Sequence, residues 1–200
     1  GLLTTSLPLP LSDLKSKIMA GLFNKYPDNH EVASIYALSL LGSVPEERDY
    51  AVFGKAASIA NGILLENPRH PGALHYLIHA YDDPEHAHLA MKAADSYAQV
   101  APDAAHALHM PSHIYMRVGR YADSYAANAK AITADEGYIT QCRSQGLYPL
   151  GYYPHNIHFL VWSAMFQGRS EAAINAARQV ADKIPKFGGE NTWGLNEAFL

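Results

Sequence analysis

The chain repeats part of its own sequence, and this repeat limits its fold more than any other feature. The segment Pro68–Tyr81, PRHPGALHYLIHAY, has its best internal match 34 residues later, at Pro102–Tyr115, PDAAHALHMPSHIY. A second shift, of 49 residues, aligns His106 with His155, and the extra 15 residues form a polar insertion rich in Gly and Tyr. Repeats of this length are units that bury their apolar faces only against neighbouring copies.

Within each copy the pattern is helical. Ala127 and Ala131 recur at helical spacing, and small residues of this kind let a neighbouring helix approach closely. Pro68, Pro102 and Pro185 end the predicted second helix of successive copies, and strand signals are nearly absent. We therefore expect an all-α fold.

Two segments carry a resemblance to a known family. GRYADSYAANAKAI, from Gly119, and GRSEAAINAARQVADKIP, from Gly168, each look like a turn glycine followed by a second repeat helix. Together with the 34-residue period, they resemble the tetratricopeptide repeat (TPR) superfamily. The resemblance implies an all-α, right-handed solenoid of helical hairpins, that is, a TPR-like superhelix.

We expect a single solenoid over residues 1–200, as a piece of a longer protein, because stacked repeats need capping elements at their ends. Its predicted parts are a partial repeat with only a second helix (11–29), repeat 1 (30–69), repeat 2 (70–103), repeat 3 (104–136), an insertion (137–152), repeat 4 (153–186) and the start of a further element (187–200).

Pro111 interrupts the predicted first helix of repeat 3. Inside a helix, proline removes a backbone hydrogen bond and clashes with the carbonyl four residues back. Either the helix kinks there, or His106 and His109 lie on a short preceding turn and a new helix starts at Pro111. Both outcomes would change the direction of these two histidines relative to His113.

Composition excludes several classes of protein. The 200 residues are 48% apolar and 17% charged, which is typical of a globular chain. There are 15 basic and 19 acidic residues and no basic cluster, so we expect no nucleic-acid partner. No apolar run approaches the roughly 20 residues of a spanning helix, and the one cysteine, Cys142, cannot form an internal disulfide or a multi-cysteine metal site.

The histidines coincide with the ligand-binding positions of the repeat family. In TPR proteins the first helix of each repeat lines the concave groove, and its second, fifth, ninth, twelfth and thirteenth positions contact ligands. Carried over by resemblance, these positions take seven of the 11 histidines. They hold Gly72, His75, His79, Asp82 and Asp83 in repeat 2, His106, His109, His113, Met116 and Arg117 in repeat 3, and His155, His158, Trp162, Met165 and Phe166 in repeat 4.

Spacing alone leads to the same grouping. His75 and His79 are four residues apart, as are His109 and His113, so each pair shares one helix face with Cβ atoms about 5–6 Å apart. Stacking at the repeat period then predicts columns: His75, His109 and His158 form one, and His79 and His113 form another.

Convergent imidazoles predict a metal site. Imidazole suits Zn, Cu, Fe and Ni, so we expect one of these transition metals as a cofactor. Asp82 is expected to serve either as a further oxygen ligand or as the acceptor that fixes the tautomer of an imidazole. The predicted metal ligands are His75, His79, His106, His109, His113, His155 and His158.

Two other interpretations stay open: a polar groove for an organic or peptide ligand, and purely structural histidines. Trp162, Met165 and Phe166 form an apolar ledge that would suit the anchor side chain of a partner. The leading prediction is therefore a protein that binds a transition metal or small ligand in a histidine-lined groove. The alternative is a protein-interaction scaffold that binds a peptide or partner helix there. The histidines outside the groove positions are expected to face solvent: His30, His70, His86 and His88.

Signals for an enzyme are weak. HYLIH has the frame of a zinc-peptidase helix, but Tyr76 stands where that motif needs its glutamate base. In DDPE, Asp83 and Pro84 are typical of a turn that starts a helix. If the chain is an enzyme, its histidines predict a metal-dependent one of unspecified reaction.

Two longer phrases narrow the resemblance. HPGALHYLIHAYDDPEHA and APDAAHALHMPSHIYMRVGRY are similar to those of a group of bacterial TPR proteins that are longer than this chain and often bear export signals. The resemblance covers roughly His30–Ile184 and implies a bacterial chain, exported or periplasmic, with no particular activity attached.

Overall fold

The structure is a computed structural model that describes residues 11–44, 48–144 and 148–183. All regular secondary structure in these ranges is helical, which confirms the all-α prediction for them. Contacts divide the chain into two compact units, Gly1–Tyr81 and Asp82–Leu200, which we call unit 1 and unit 2. The predicted end of repeat 4 at Pro185, the predicted further element at 187–200 and positions 145–147 of the predicted insertion lie outside the described residues.

The described residues of unit 1 form four helices: α1 (Leu11–Lys25), α2 (His30–Leu41), α3 (Tyr50–Glu66) and α4 (Pro71–Ala80). Helix α2 packs against the other three. Three helix starts have side-chain caps, in which Asn29, Asp49 and His70 accept hydrogen bonds from backbone N–H groups of α2, α3 and α4.

The core of unit 1 depends on small residues that let helices approach. Tyr36 and Ala37 of α2 pack on Ala56 of α3, and Phe23 of α1 closes the cluster. Gly72 of α4 faces α2 so closely that an added Cβ would lie 3.1 Å from Ser34 Oγ. A larger residue at this position would require Ser34 Oγ to move by a few tenths of an ångström.

Unit 2 begins with a 3₁₀ turn (Ala87–Ala90), followed by α5 (Met91–Val100), α6 (Ala105–His109), α7 (Pro111–Arg117), α8 (Tyr121–Cys142), a π-helical turn (Tyr148–Tyr152), α9 (Tyr153–Phe166) and α10 (Ser170–Lys183). Helix α8 packs against α6, α7 and α9, and α9 packs against α10. The core between the last three helices contains Ile132, Tyr153, Ile157, Ala176 and Val180.

The two glycines that carry the family resemblance form the tight turns of unit 2. Gly119, between α7 and α8, has a φ of +80°, and Gly168, between α9 and α10, has a φ of +70°. Residues with a Cβ rarely adopt this left-handed backbone conformation. These glycines reverse the chain so that successive helices pack as hairpins.

Two features of the structure concern the predicted repeat boundaries. The boundary between units falls inside predicted repeat 2, after α4. Helix α8 continues to Cys142, past the predicted end of repeat 3 at position 136, so the first part of the predicted insertion is helical. None of the helices in the described ranges has the length and apolar character needed to span a bilayer.

Candidate functional site

Unit 2 brings three histidines from three helices together. His109 ends α6, His113 lies on α7 and His155 lies in the first turn of α9. Each offers one ligand nitrogen, and the three atoms lie within 4.8 Å of one another. The Nε2 atoms of His109 and His113 are 3.0 Å apart, and the ring centroids of His109 and His155 are 4.7 Å apart. We call this group the histidine triad.

Pro111 determines how the first two members of the triad meet. Helix α6 ends at His109 and α7 starts at Pro111, so the second of the two expected outcomes is what the structure contains. Proline is tolerated at the first position of a helix, where its missing N–H has no intrahelical partner to lose. Met110 between them keeps helical dihedrals (φ −51°, ψ −37°), so His109 and His113 stay on one face across the joint.

Hydrogen bonds fix the tautomers of both rings. His109 Nδ1 lies 2.7 Å from Asn128 Oδ1, and Asn128 Nδ2 donates to the Ser124 carbonyl at 2.8 Å, which sets the orientation of the amide. His113 Nδ1 lies 2.8 Å from Asp82 Oδ2. Since both partners are acceptors, both Nδ1 atoms must carry the hydrogen.

In neutral rings of this tautomer, the two Nε2 atoms are unprotonated. Their lone pairs then face each other across 3.0 Å, which is repulsive unless a cation or a shared proton lies between them. Burial lowers the pKa of His109 well below its usual value, and charge on His113 and His155 would lower it further. A tetrahedral zinc site with bonds of about 2.0–2.1 Å places two imidazole nitrogens about 3.3 Å apart, close to this spacing.

The Asp82 carboxylate contacts the ring nitrogen of His113 that faces away from the other two histidines. Besides accepting from His113, Asp82 accepts from Arg117 Nε at 2.7 Å. Burial raises the pKa of Asp82, but hydrogen bonds and charge from His113 and Arg117 outweigh it and hold the pKa well below its usual range. An ionised carboxylate on the outer ring nitrogen is the arrangement that orients metal-binding histidines and raises their basicity.

Phe159 closes one side of the triad. Its ring centroid lies 4.9 Å from His109, 4.6 Å from His113 and 4.9 Å from His155, and the residue is 7% exposed. The His113 side chain is 14% exposed. The triad therefore has an apolar floor and is partly exposed to solvent at His113.

His106 lies beside the triad, with its ring centroid 6.0 Å from that of His109 and 5.6 Å from that of Tyr152. Burial lowers the pKa of His106 to about 4, and charge on His113 and His155 acts in the same direction. A neutral ring is thus favoured at this position too.

Unit 1 contains a second histidine pair of the same spacing. His75 Nε2 and His79 Nε2 on α4 lie 3.0 Å apart, as in the triad. The ring of His75 also stacks on Tyr76 at 5.3 Å. In both pairs with four-residue spacing, the two histidine rings are therefore in contact in the structure.

Other predicted site residues occupy different surroundings. His155 completes the triad at the position that the predicted column gave to His158, whose ring instead packs on Trp162 at 4.2 Å. Asp83 is buried in a turn, where it accepts from the backbone N–H groups of Glu85 and His86. This agrees with the turn interpretation of DDPE.

The predicted apolar ledge is only partly exposed. Met165 and Phe166 are 61% and 64% exposed, and Phe166 stacks on Tyr121 at 4.8 Å. Met116 is half-buried and its Sδ accepts from Ser163 Oγ at 3.5 Å.

One expectation for a histidine outside the groove is wrong. His70 was expected to face solvent, but it is 4% exposed because its Nδ1 accepts from Ala73 N and so caps α4.

Sequence reasoning missed two residues of the site, Asn128 and Phe159. Asn128 lies in an alanine-rich helix where asparagine is unfavourable, and a polar residue on such a packed face is a signal that it has a buried partner. Phe159 gave no signal beyond its place among apolar residues of α9.

Comparisons with solved structures identify the fold. The crystal structure of MamA has a TM-score of 0.62 and 13% identity, covering 88% of this chain and 96% of that one. The crystal structure of TTC0263, a thermophilic TPR protein in Thermus thermophilus, has a TM-score of 0.63 and 15% identity, covering 94% of this chain and 91% of that one. No family model and no curated protein matches the sequence. At these identities the likeness shows the fold alone.

Proposed function

We propose that this chain, which has the TPR-like solenoid fold, binds a transition-metal ion through His109, His113 and His155. The observation that supports this most strongly is the pair of opposed Nε2 atoms, 3.0 Å apart, in rings whose Nδ1 atoms are both committed to acceptors. A metal ion turns two repelling lone pairs into two ligand bonds. His155 supplies a third nitrogen from another helix.

The ligand chemistry selects a group of metals. Imidazole suits Zn, Cu, Fe and Ni, whereas Mg and Ca prefer oxygen ligands. The Asp82 carboxylate supports His113, and its two oxygens already accept from His113 and Arg117. The proposal therefore concerns a divalent Zn, Cu, Fe or Ni ion bound by nitrogen ligands.

Elemental analysis of tag-free protein tests the proposal. Wild-type protein, loaded with Zn and freed of excess ion, is expected to hold one equivalent more than the His109→Ala and His155→Ala variants. His88→Ala is the matched control, because His88 is exposed and outside the triad. Equal metal content in wild type and both triad variants would show that the triad holds no ion.

A second candidate is a scaffold that binds a protein or peptide partner. The comparisons favour it more directly than the metal function, since they concern the fold and not the histidines. Its local support is the exposed apolar pair Met165 and Phe166, which would take the anchor side chain of an extended peptide or partner helix.

Peptide display separates this candidate from the first. Peptides selected on metal-free wild-type protein are expected to share an apolar anchor and to lose at least tenfold in affinity for a Met165→Ser, Phe166→Ser variant. Leu65→Ser is the control, because Leu65 is 86% exposed and lies in unit 1. Selected peptides that bind the ledge variant and wild type equally would place partner binding elsewhere.

A further inference from the structure

The histidine triad contains three ligand atoms, one fewer than a tetrahedral ion needs. In the described ranges, the metal-ligand group around His109 consists of His109, His113 and His155. Zinc sites with three protein ligands fill the fourth position with water or a substrate, whereas purely structural sites have four protein ligands.

Among the described residues, the metal-ligand group around His109 includes no fourth residue. On the buried side, Phe159 contacts all three imidazoles with a ring that cannot act as a ligand. The Asp82 carboxylate contacts the outer nitrogen of His113, and its two oxygens already accept from His113 Nδ1 and Arg117 Nε.

Part of the triad and of its supporting residues is exposed to solvent. The side chain of His113 is 14% exposed, that of Asp82 is 18% exposed and that of Arg117, which lies beyond Asp82, is 44% exposed. The triad is therefore not fully sealed from solvent, and its exposed edge is at His113.

We propose that the metal ion of the triad keeps one coordination position for an exchangeable small ligand. This ligand is a water molecule when no other ligand is present, and a small anion can replace it. This inference rests on the proposed metal function. Three neutral imidazoles leave the full 2+ charge of the ion uncompensated, which favours an anion over a neutral ligand.

The test uses Co(II) as the metal and azide as the small anion. In Co(II)-loaded wild-type protein, azide is expected to change the position and intensity of the visible absorption bands in a saturable way. Bands that form with Co(II) but do not respond to azide would overturn the exchangeable position while leaving the metal site intact. Absence of triad-dependent Co(II) bands, judged against His155→Ala, would instead overturn the metal function itself.

His106 provides the second variant, because its ring lies close enough to be a rival fourth ligand after a small movement. We expect His106→Ala to bind Co(II) and azide as wild type does, within about threefold. If azide binds only after His106 is removed, the protein itself fills the position and the inference is wrong.

Discussion

Asp82 and His113 are 31 positions apart in the sequence, and Oδ2 of the first lies 2.8 Å from Nδ1 of the second. This contact decides which nitrogen of His113 faces the other histidines. Arg117 holds the second carboxylate oxygen, so the carboxylate has little freedom to turn away.

Removing the Asp82 carboxylate is expected to weaken metal binding by about 10- to 100-fold, because the supporting acceptor of a metal-binding histidine typically contributes that much. Asp82→Ala should show the full loss. Asp82→Asn should lose less, because its amide oxygen can still accept from His113. Competition with a chromophoric chelator measures the affinity, with Asp103→Ala as the exposed acidic control. Wild-type affinity in Asp82→Ala would show that this contact does not support a metal ligand.

Metal-free protein is expected to lose stability as pH falls from about 6.5 towards 4. Burial lowers the pKa of His106 to about 4 and that of His109 well below its usual value, so the fold favours neutral rings. Between the unfolded value near 6.5 and the folded value, the unfolded chain binds more protons, so stability is fully present above the first and lost below it. For His106 alone the loss is at most about 3 kcal/mol.

Urea unfolding between pH 7.5 and 4.5, in the presence of chelator, measures this dependence. His106→Ala should unfold with a flatter dependence than wild type, and His88→Ala should leave the dependence unchanged. A His106→Ala curve parallel to that of wild type would mean that His106 stays as easily protonated in the fold as in the unfolded chain.

Removing metal is expected to lower the midpoint of thermal unfolding at pH 7.5. An ion present at 100 times its dissociation constant adds about 2.7 kcal/mol to folding, provided that it binds only the folded state. At pH 5.5 the effect of chelator should shrink, because protons compete with the ion for the ring nitrogens. The measurement is thermal unfolding at both pH values with and without chelator. Identical midpoints with and without chelator at both pH values would rule out a stabilising metal.

Gly119→Ala and Gly168→Ala are each expected to destabilise unit 2 by about 1–2 kcal/mol, because both positions have a positive φ. Gly137→Ala is the matched control. It lies inside α8 with open space around an added Cβ, so alanine should raise helix stability by up to about 1 kcal/mol. Urea unfolding of the three variants measures the changes in the free energy of unfolding. If all three substitutions change it in the same direction, the proposed role of the two turn glycines is wrong.

The helical hairpins could be predicted because their signals are local. The prolines, the turn glycines Gly119 and Gly168 and the alanine spacing act within one repeat, and the family resemblance names the way repeats stack. The pairs His75 with His79 and His109 with His113 were predictable for the same reason, since each depends only on helix geometry.

The composition of the triad was harder to predict, because it depends on how helices pack. Repeat alignment placed His158 beside His109, whereas packing of α9 on α8 brings His155 there. Asn128 comes from the second helix of its repeat, outside the groove positions of the family. A sequence pattern records periodicity along one helix, and it does not record the rotation of one helix against the next.

The three histidines of the triad are also synthesised at different times. His109 and His113 emerge together, whereas His155 emerges after all of α8. All three nitrogens are therefore available together only after α8 has been synthesised and α9 has packed against it. If the proposed metal site exists, it is completed late in the synthesis of the described part of the chain.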